Sequence, residues 1–457
     1  MSNEFGLTLV AARPALLAGQ NNIVDVLIRV QAPDAPSSGL PERPRLNLAI
    51  VIDRSGSMSG QPLHEAKRAA AFMIDSLKAT DRASVVVYDD TVNVIAENQH
   101  VENRNRFKAA IAQVDSGGST NLHGGWLKGA EESARHLLKG YTSRVLLLSD
   151  GQANVGMTVV TEEIAHQCAQ LADTGVTTST YGLGSGFNEE LMVAMARSGR
   201  GNGYYSQNAE HLMERFHEEF SLLSALCARN VRLRLAPLPG IRCEMLNLYE
   251  AAKDGNWQLP DLTYDGEAWA AVRLKLGSAG LPAAGESLAL LKASVVFVDL
   301  EGAECQIREK WLTLPVLTEK EFEKVAVNGD VVRRVTEAEA AKLQENAARA
   351  AKAGDWKRVD MILMQARQMA QHSPWLSEIV VYLEKLAAQK DEMRFSKEAR
   401  YSAMNMSSRQ RSKKEFDADF SEMGALMHLQ RRVEQGTTGR FGQQEPGETD
   451  PLDPFDK

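Results

Sequence analysis

The sequence has 457 residues, of which 44% are hydrophobic and 25% charged, and its formal net charge is -8. This composition is typical of a globular protein with about three domains, and it excludes collagen-like and wholly disordered chains. The negative balance gives no general reason to expect nucleic acid as a partner. No apolar run reaches the roughly 18 to 20 residues that span a bilayer, and the first residues lack an export-signal pattern, so we expect a cytoplasmic protein without a membrane segment.

Extended structure is predicted at the start of the chain. Residues 7–11 and 23–30 favour strands, because apolar side chains alternate with polar ones along the second run. The Pro-, Ser- and Gly-rich stretch from Ala32 to Pro44 is typical of a linker. We therefore assign residues 1–45 to an N-terminal β segment with its linker.

Residues 46–229 alternate between strand and helix patterns. The run Leu48 to Ile52 is apolar on both faces, as a central parallel strand requires. Alternation of this kind predicts an α/β fold with a doubly wound, mostly parallel sheet that binds ligands at the carboxyl ends of its strands. The other strands are predicted near 83–88, 92–96, 145–148 and 176–181, and the helices near 62–78, 104–114, 122–139, 161–173, 188–196 and 209–226.

A second block of strands is predicted for residues 230–316. Apolar and basic side chains alternate at 231–235 and 272–276, and the run 288–298 reads as a buried strand. These patterns indicate an antiparallel β-sandwich. Because extended segments lie on both sides of the α/β block, we expect residues 5–31 to pair with residues 230–316, with the α/β domain inserted between them.

Residues 317–424 are predicted to form a helical region. Thr336 and Glu339 make a capping-box pattern, a second helix begins after Asp355, and Ser373-Pro374 begins a third. The basic stretch 394–414 is predicted to be a solvated helix and linker, with binding of an acidic partner or nucleic acid as the alternative. Residues 425–457 are predicted to be a disordered acidic tail, since 441–457 carry five acids and one lysine.

Oxygen-bearing side chains cluster at three predicted strand ends. Asp53, Ser55 and Ser57 follow the strand 48–52, Thr120 lies in a Gly-Gly-Ser-Thr loop before a helix, and Asp150 directly follows an apolar strand. The doubly wound layout brings these segments together, and we expect Gly56 to permit the tight turn. Hard oxygen ligands suit Mg²⁺, with Mn²⁺ or Ca²⁺ as alternatives.

Two carboxylates and three hydroxyls leave a divalent cation with net positive character. Such a cation retains affinity for an anionic ligand, most simply an Asp or Glu carboxylate from another chain. The predicted metal site is therefore also a predicted protein-binding site.

The order of Asp-x-Ser-x-Ser, Gly-Gly-Ser-Thr and a strand-terminal Asp-Gly resembles the von Willebrand factor A domain with its metal-ion-dependent adhesion site, over residues 46 to about 226. The resemblance implies that the hydroxyls of Ser55, Ser57 and Thr120 contact the metal, whereas Asp53 and Asp150 act largely through water. It also implies an adaptor for protein–protein interaction, and family analogy suggests a MoxR-type AAA+ ATPase as the partner.

The segment Tyr88-Asp89-Asp90 is similar to bacterial members of the family that carry the label of calcium-activated chloride channel homologues. Because no membrane span is predicted, we do not expect a channel.

Three alternatives accompany the predicted non-enzymatic adaptor. A metal-assisted hydrolase would use the cation as a Lewis acid and need a general base, for which His123 and Asp89 are the candidates. A surface adhesin is the second alternative, against which the lack of an export signal counts. In the third, the acidic residues of 441–457 occupy the metal site of the same or a neighbouring chain as an internal ligand.

Overall fold

The structure is a computed structural model, and it describes residues 4–35, 43–150, 155–184, 186–206, 212–252, 254–408 and 411–412. The strands are β1 Gly6–Ala11, β2 Leu16–Leu17, β3 Asn22–Gln31, β4 Arg45–Asp53, β5 Arg82–Tyr88, β6 Val92–His100, β7 Tyr141–Ser149, β8 Val176–Leu183, β9 Arg200–Ser206, β10 Leu226–Pro237, β11 Ile241–Met245, β12 Trp257–Gln258, β13 Leu262–Thr263, β14 Gly266–Leu276, β15 Ser287–Val298, β16 Glu304–Leu317 and β17 Arg411–Ser412. The helices are α1 Gln61–Ser76, α2 Arg104–Ala112, α3 Leu122–Ala134, α4 Thr161–Thr174, α5 Glu189–Ser198, α6 Leu212–Ser224, α7 Glu319–Phe322, α8 Gly329–Lys352, α9 Trp356–Met369, α10 Pro374–Gln389 and α11 Glu392–Ser408.

The α/β part is built on a sheet with the strand order β6-β5-β4-β7-β8-β9. All its pairs are parallel except β5 with β6. Helices α1, α2 and α6 pack on one face, and α3, α4 and α5 pack on the other. The predicted doubly wound α/β fold is confirmed.

The central strand β4 explains why both faces of the sheet are covered. Leu48, Ile50 and Ile52 face the layer that contains α1, while Ala49 and Val51 face the layer that contains α3. Helix α3 approaches closely, because a Cβ added to its Gly129 would lie 2.3 Å from a methyl carbon of Val51.

A two-sheet β-sandwich surrounds the insertion point. One sheet has the order β1-β3-β14-β11, and the other β12-β10-β15-β16-β2. Strand β3 pairs with β14 from Asn22 opposite Leu276 to Gln31 opposite Glu267, so the N-terminal segment pairs with the later strands as the sequence predicts. The return strand β10 begins at Leu226, before the predicted boundary at 230, and its Leu226 and Ala228 already pair with β13.

The helix that contains Thr336 begins before the predicted capping box. The N-cap of α8 is Asn328, whereas Thr336 lies inside the helix and donates its hydroxyl to the Val332 carbonyl. The capping box expected at Thr336 is therefore wrong, and Thr318 with Glu321 forms one instead. Asp355 and Ser373 cap α9 and α10 as predicted.

Helix α11 contradicts the prediction of a solvated basic helix. Its Lys397 and Arg400 are buried, and its Tyr401 and Met404 join the core of the α/β domain beside Tyr205. Residues 409–410 and 413–457, which include the rest of the basic stretch and the predicted acidic tail, lie outside the described residues. None of the helices that the structure describes is long and apolar enough to cross a membrane.

Candidate metal centre

The predicted site residues lie at the carboxyl edge of the α/β sheet. Asp53 is the last residue of β4, and Asp150 follows the last residue of β7, its neighbour in the sheet. Ser55 and Ser57 lie in the turn between β4 and α1. Thr120 directly precedes Asn121, whose side chain caps α3 by accepting a hydrogen bond from the Gly124 amide. Local chain geometry therefore directs all three segments to one edge.

Asp53 is fully buried and is held by three donors. Its Oδ1 accepts a hydrogen bond from the Ser55 amide at 2.8 Å. Its Oδ2 accepts bonds from the Ser149 hydroxyl at 2.7 Å and the Tyr88 hydroxyl at 3.3 Å. Burial raises the pKa of Asp53, and these hydrogen bonds offset part of the rise. These hydrogen bonds fix the position of the carboxylate.

A chain of oxygen atoms leads from the interior to the surface. The hydroxyl oxygens of Ser55 and Ser57 are 3.2 Å apart, and the Ser57 hydroxyl donates to Asp150 Oδ1 at 2.8 Å. Ligands at 2.0–2.1 Å from an octahedral Mg²⁺ are about 2.9 Å from their neighbours, so these spacings match those of a magnesium coordination shell. Ser57 is exposed, so the edge is open to solvent.

Asp150 has an unfavourable electrostatic environment. Its partial burial, together with the nearby charge of Asp53, raises its pKa to about 6 even though Ser57 donates to it. Two carboxylates close together in a partly buried site repel one another, and a bound cation would remove that repulsion.

The loop that carries Thr120 is clamped to the serine turn. The Gly117 amide donates to the Arg54 carbonyl at 2.6 Å, and the Gly56 amide donates to the Gly118 carbonyl at 2.9 Å. The Arg54 guanidinium also pairs with Asp89 at 2.8 Å. Thr120 itself is buried. The structure thus brings all five predicted residues to one edge.

The close packing of the serine turn against the Thr120 loop depends on a glycine other than Gly56. A Cβ on Gly56 would meet only the Gly117 and Gly118 carbonyl oxygens, at ordinary distances of 3.5 and 3.8 Å. A Cβ on Gly117 would lie 1.9 Å from Asp89 Oδ2, and one on Gly118 would lie 2.5 Å from Asp90 Oδ1. The expectation for Gly56 is therefore wrong, and Gly117, which faces the buried and hydrogen-bonded Asp89, is the position that excludes a side chain.

The two candidate general bases are held by structural contacts. Asp89 accepts bonds from the Thr91 amide and hydroxyl at 2.8 and 2.7 Å and pairs with Arg54. Burial alone would raise the pKa of Asp89, but the Thr91 hydrogen bonds and the Arg54 charge lower it. His123 is buried with its Nε2 2.7 Å from Gln167 Oε1. Asp89 thus supports the loops around the centre, whereas His123 joins α3 to α4.

The donor set fits a hard cation. It contains two carboxylates and three hydroxyls, all of them oxygen ligands of the kind that Mg²⁺ prefers. Within the described ranges there is no metal-binding group of three or more His, Cys, Asp or Glu side chains. If the chain holds a divalent metal in this region, it would do so through Asp53, Ser55, Ser57, Thr120 and Asp150.

Sequence reasoning missed the supports of the site. Ser149 and Tyr88 orient Asp53, and Arg54 joins the serine turn to Asp89. Their positions carried a signal, because Ser149 and Tyr88 end the strands on either side of β4 and therefore flank Asp53 in the sheet.

Comparison with known proteins finds relatives of the α/β part of the chain. A model of the von Willebrand factor type A domain matches residues 47–218. An uncharacterized protein of Synechocystis is 32% identical over 198 residues, which are 42% of this chain and 45% of that protein. Inter-alpha-trypsin inhibitor heavy chain H3 of Homo sapiens is 28% identical over 193 residues, which are 40% of this chain and 21% of that protein. The matched region spans less than half of either relative.

Two solved structures share the fold over most of the chain. One is a von Willebrand factor type A protein from Catenulispora acidiphila, with a TM-score of 0.69 and 18% identity over 88% of this chain and 96% of that one. The other is the ArnB paralog VWA2 from Sulfolobus acidocaldarius, with a TM-score of 0.56 and 17% identity over 87% of this chain and 98% of that one.

The fold and the site thus define a class of domain: a doubly wound α/β domain with an oxygen-lined centre at the carboxyl edge of its sheet. This chain contains a von Willebrand factor type A domain. Such domains generally mediate protein–protein interaction or adhesion.

Proposed function

We propose that this protein is an adaptor that binds Mg²⁺ through Asp53, Ser55, Ser57, Thr120 and Asp150, and through that ion binds an Asp or Glu carboxylate of a protein partner. The observation that carries the proposal is the run of oxygen atoms from Ser55 through Ser57 to Asp150, spaced at 3.2 and 2.8 Å at a solvent-exposed edge.

The charge of the ligand set supports a protein carboxylate as the further ligand. Asp53 already accepts hydrogen bonds from Ser55, Ser149 and Tyr88, which reduces the negative charge that it offers to a metal. The three hydroxyls are neutral, so the ion keeps electrophilic character and attracts an external anion. The proposal assigns no catalytic step to the centre, and it places the protein in the cytoplasm.

Calorimetric titration with Mg²⁺ tests the metal step. Asp150→Ala and Ser57→Ala should each weaken Mg²⁺ binding by about tenfold or more, since each removes a ligand. Asp90→Ala is the matched control, because Asp90 is an exposed acid beside the same loop but outside the donor set. Equal Mg²⁺ affinity in Asp150→Ala and Asp90→Ala would contradict the proposed ligands.

A purified MoxR-type AAA+ ATPase is the candidate for the partner step, on family analogy. Its binding to the immobilised full chain should require Mg²⁺, disappear with EDTA, and be weak with Ser57→Ala. The same ATPase binding with and without EDTA would count against a metal bridge, whereas no binding at all would remove this ATPase from consideration.

A further inference from the structure

An apolar rim lies beside the candidate metal centre. Four of the six residues from 155 to 160 have large apolar side chains that are exposed to solvent: Val155 by 41%, Met157 by 90%, Val159 by 48% and Val160 by 46%. Large apolar patches that are exposed to solvent often mark interaction sites.

Direct contacts hold this rim against the metal loop. The Val155 amide donates to the Thr120 carbonyl at 3.4 Å. Gly156, at φ +134°, lies so close to Asn121 that an added Cβ would be 2.6 Å from its Oδ1. The Thr158 hydroxyl donates to Glu163 at 2.6 Å and accepts from the Val160 amide at 3.1 Å. The apolar side chains are therefore displayed by an ordered segment within a few residues of a metal ligand.

A metal centre with an apolar rim fits a peptide in which a carboxylate adjoins large apolar side chains. Residues 450–457 of this chain, Asp-Pro-Leu-Asp-Pro-Phe-Asp-Lys, have that chemistry, because Asp453 lies between Leu452 and Phe455. The segment carries three acids and one lysine, so its charge complements a bound cation.

We propose that the metal centre and the rim 155–160 together recognise an acidic–apolar segment, and that residues 450–457 are such a segment and mask the centre until a partner with similar chemistry displaces them. This inference rests on the proposed Mg²⁺ site. It adds a ligand class, a specificity surface in Val155, Met157, Val159 and Val160, and an intramolecular competitor.

The tether between Ser412 and the segment is long enough. The 37 residues from 413 to 449 can reach up to about 120 Å when fully extended, whereas a globular chain of this length has a radius of gyration of about 23 Å. An attached ligand on such a linker has an effective concentration near the millimolar range, so even weak binding masks the centre.

The test uses the full-length protein and a fluorescent peptide with the sequence of residues 448–457. Binding is measured by anisotropy in Mg²⁺ and in EDTA, for the wild type and for a tail variant with Leu452→Ser and Phe455→Ser. The tail variant should bind the peptide about tenfold more tightly than the wild type, because its own segment competes poorly. Binding should be lost in EDTA.

The role of the rim is tested in the tail variant. Adding Met157→Ser should weaken peptide binding about fivefold while leaving Mg²⁺ affinity unchanged, because it removes apolar contact area and no metal ligand. Met361→Ser is the matched control, since Met361 is a similarly exposed methionine on α9. It should change neither measurement.

The outcomes separate the two proposals. Absence of Mg²⁺ binding by calorimetry would overturn the proposed function itself. If Mg²⁺ binds normally, three results would overturn only this inference: no binding of the peptide, equal binding to wild type and tail variant, or equal effects of Met157→Ser and Met361→Ser.

Discussion

At the metal edge, two glycines leave space that two carboxylates fill. A Cβ at residue 117 would overlap Asp89 Oδ2, and one at residue 118 would overlap Asp90 Oδ1. Asp89 is also the partner of Arg54, which follows Asp53 directly. Gly117 is thus required for close approach, and Asp89, which it accommodates, keeps the serine turn and the Thr120 loop together through Arg54 and the Gly118 amide.

Gly117→Ala should therefore reduce Mg²⁺ affinity by about tenfold or more, because the loop must move away from Asp89 and ligands displaced by even 1 Å lose their geometry. Gly56→Ala should bind Mg²⁺ almost normally, since its Cβ would make only ordinary contacts. Calorimetry on both variants, with circular dichroism to establish folding, checks the pair. A larger loss of affinity in Gly56→Ala would show that the wrong glycine has been identified.

Among the elements, α11 joins the helical part to the α/β domain. Tyr401 stacks on Tyr205 at a centroid distance of 5.6 Å, and Met404 Sδ would be 3.0 Å from a Cβ on Gly203. The Ser396 hydroxyl donates to Glu189 at 2.8 Å in the same buried region. Among the described residues, the Tyr401 hydroxyl has no hydrogen-bond partner. The ring of Tyr401 thus stabilises this junction. Its hydroxyl loses contact with water and gains no hydrogen bond from the described residues.

Tyr401→Ala should lower the free energy of unfolding by about 3–5 kcal/mol, as expected when a buried aromatic ring is removed. Tyr401→Phe should be neutral or slightly stabilising, because it removes only an unsatisfied hydroxyl. Urea denaturation followed by circular dichroism measures both. A large loss in Tyr401→Phe would mean that the hydroxyl makes an important contact.

The elements that the sequence predicts correctly are those with a strong period. Leu48 to Ile52 predicted a central strand, and the alternation in 23–30 and 272–276 predicted strands that pair with each other. Strand β9 was missed because Arg-Gly-Asn-Gly has no alternation, and it lies at the edge of its sheet. The prediction for helix α11 was wrong because its charged residues suggested a helix exposed to solvent. Tertiary packing instead buries Lys397, whose Nζ lies 4.4 Å from the centroid of the Phe187 ring.

The contrast between local patterns and tertiary packing also applies to the candidate metal centre. The spacing of Asp53, Ser55 and Ser57 in one turn is local, so the sequence predicts it directly. That Thr120 and Asp150 reach the same edge follows from the strand order of a doubly wound sheet. The hydrogen bonds of Asp53 with Ser149 and Tyr88 depend on side-chain orientation across strands, which no local pattern encodes.

Across the whole molecule, a buried ion network joins the α/β domain to the sandwich. Arg144 on β7 donates to Glu219 on α6 at 2.8 Å and to Asp261, between β12 and β13, at 3.3 Å. Glu219 also accepts bonds from Ser179, Asn202 and Tyr204. Burial would raise the pKa of Glu219, but the charge of Arg144 and these hydrogen bonds lower it below its usual 4.5. Burial raises the pKa of Asp261 instead.

Because the pKa of Glu219 is lower in the folded state, its stabilising contribution is present above pH 4.5 and is lost as the pH falls through the folded-state value. Glu219→Gln should lower stability by about 3–5 kcal/mol at pH 7, since it leaves Arg144 buried without its main partner. The difference from wild type should shrink as the pH falls below 4.5. Urea titrations of both proteins between neutral pH and pH 3.5 measure it, and the comparison cancels most of the opposite effect of Asp261. A constant difference would contradict the lowered pKa.

Metal binding should stabilise the folded chain as a whole. A ligand that binds only the folded state, at a hundred times its dissociation constant, adds about 2.7 kcal/mol. Asp150 follows β7, and Arg144 on that strand donates to Asp261, which accepts a hydrogen bond from the Asn230 amide of β10. Mg²⁺ should therefore slow amide hydrogen exchange in β4 and β7 and also in β10. In Asp150→Ala, the same Mg²⁺ concentration should raise the unfolding midpoint and slow amide exchange less than in wild type, because the ion binds more weakly. If exchange slows only in the loops around the metal centre, the ion network of Arg144 does not transmit the stabilisation to the sandwich. If Asp150→Ala gains as much stability from Mg²⁺ as wild type, the ion binds elsewhere.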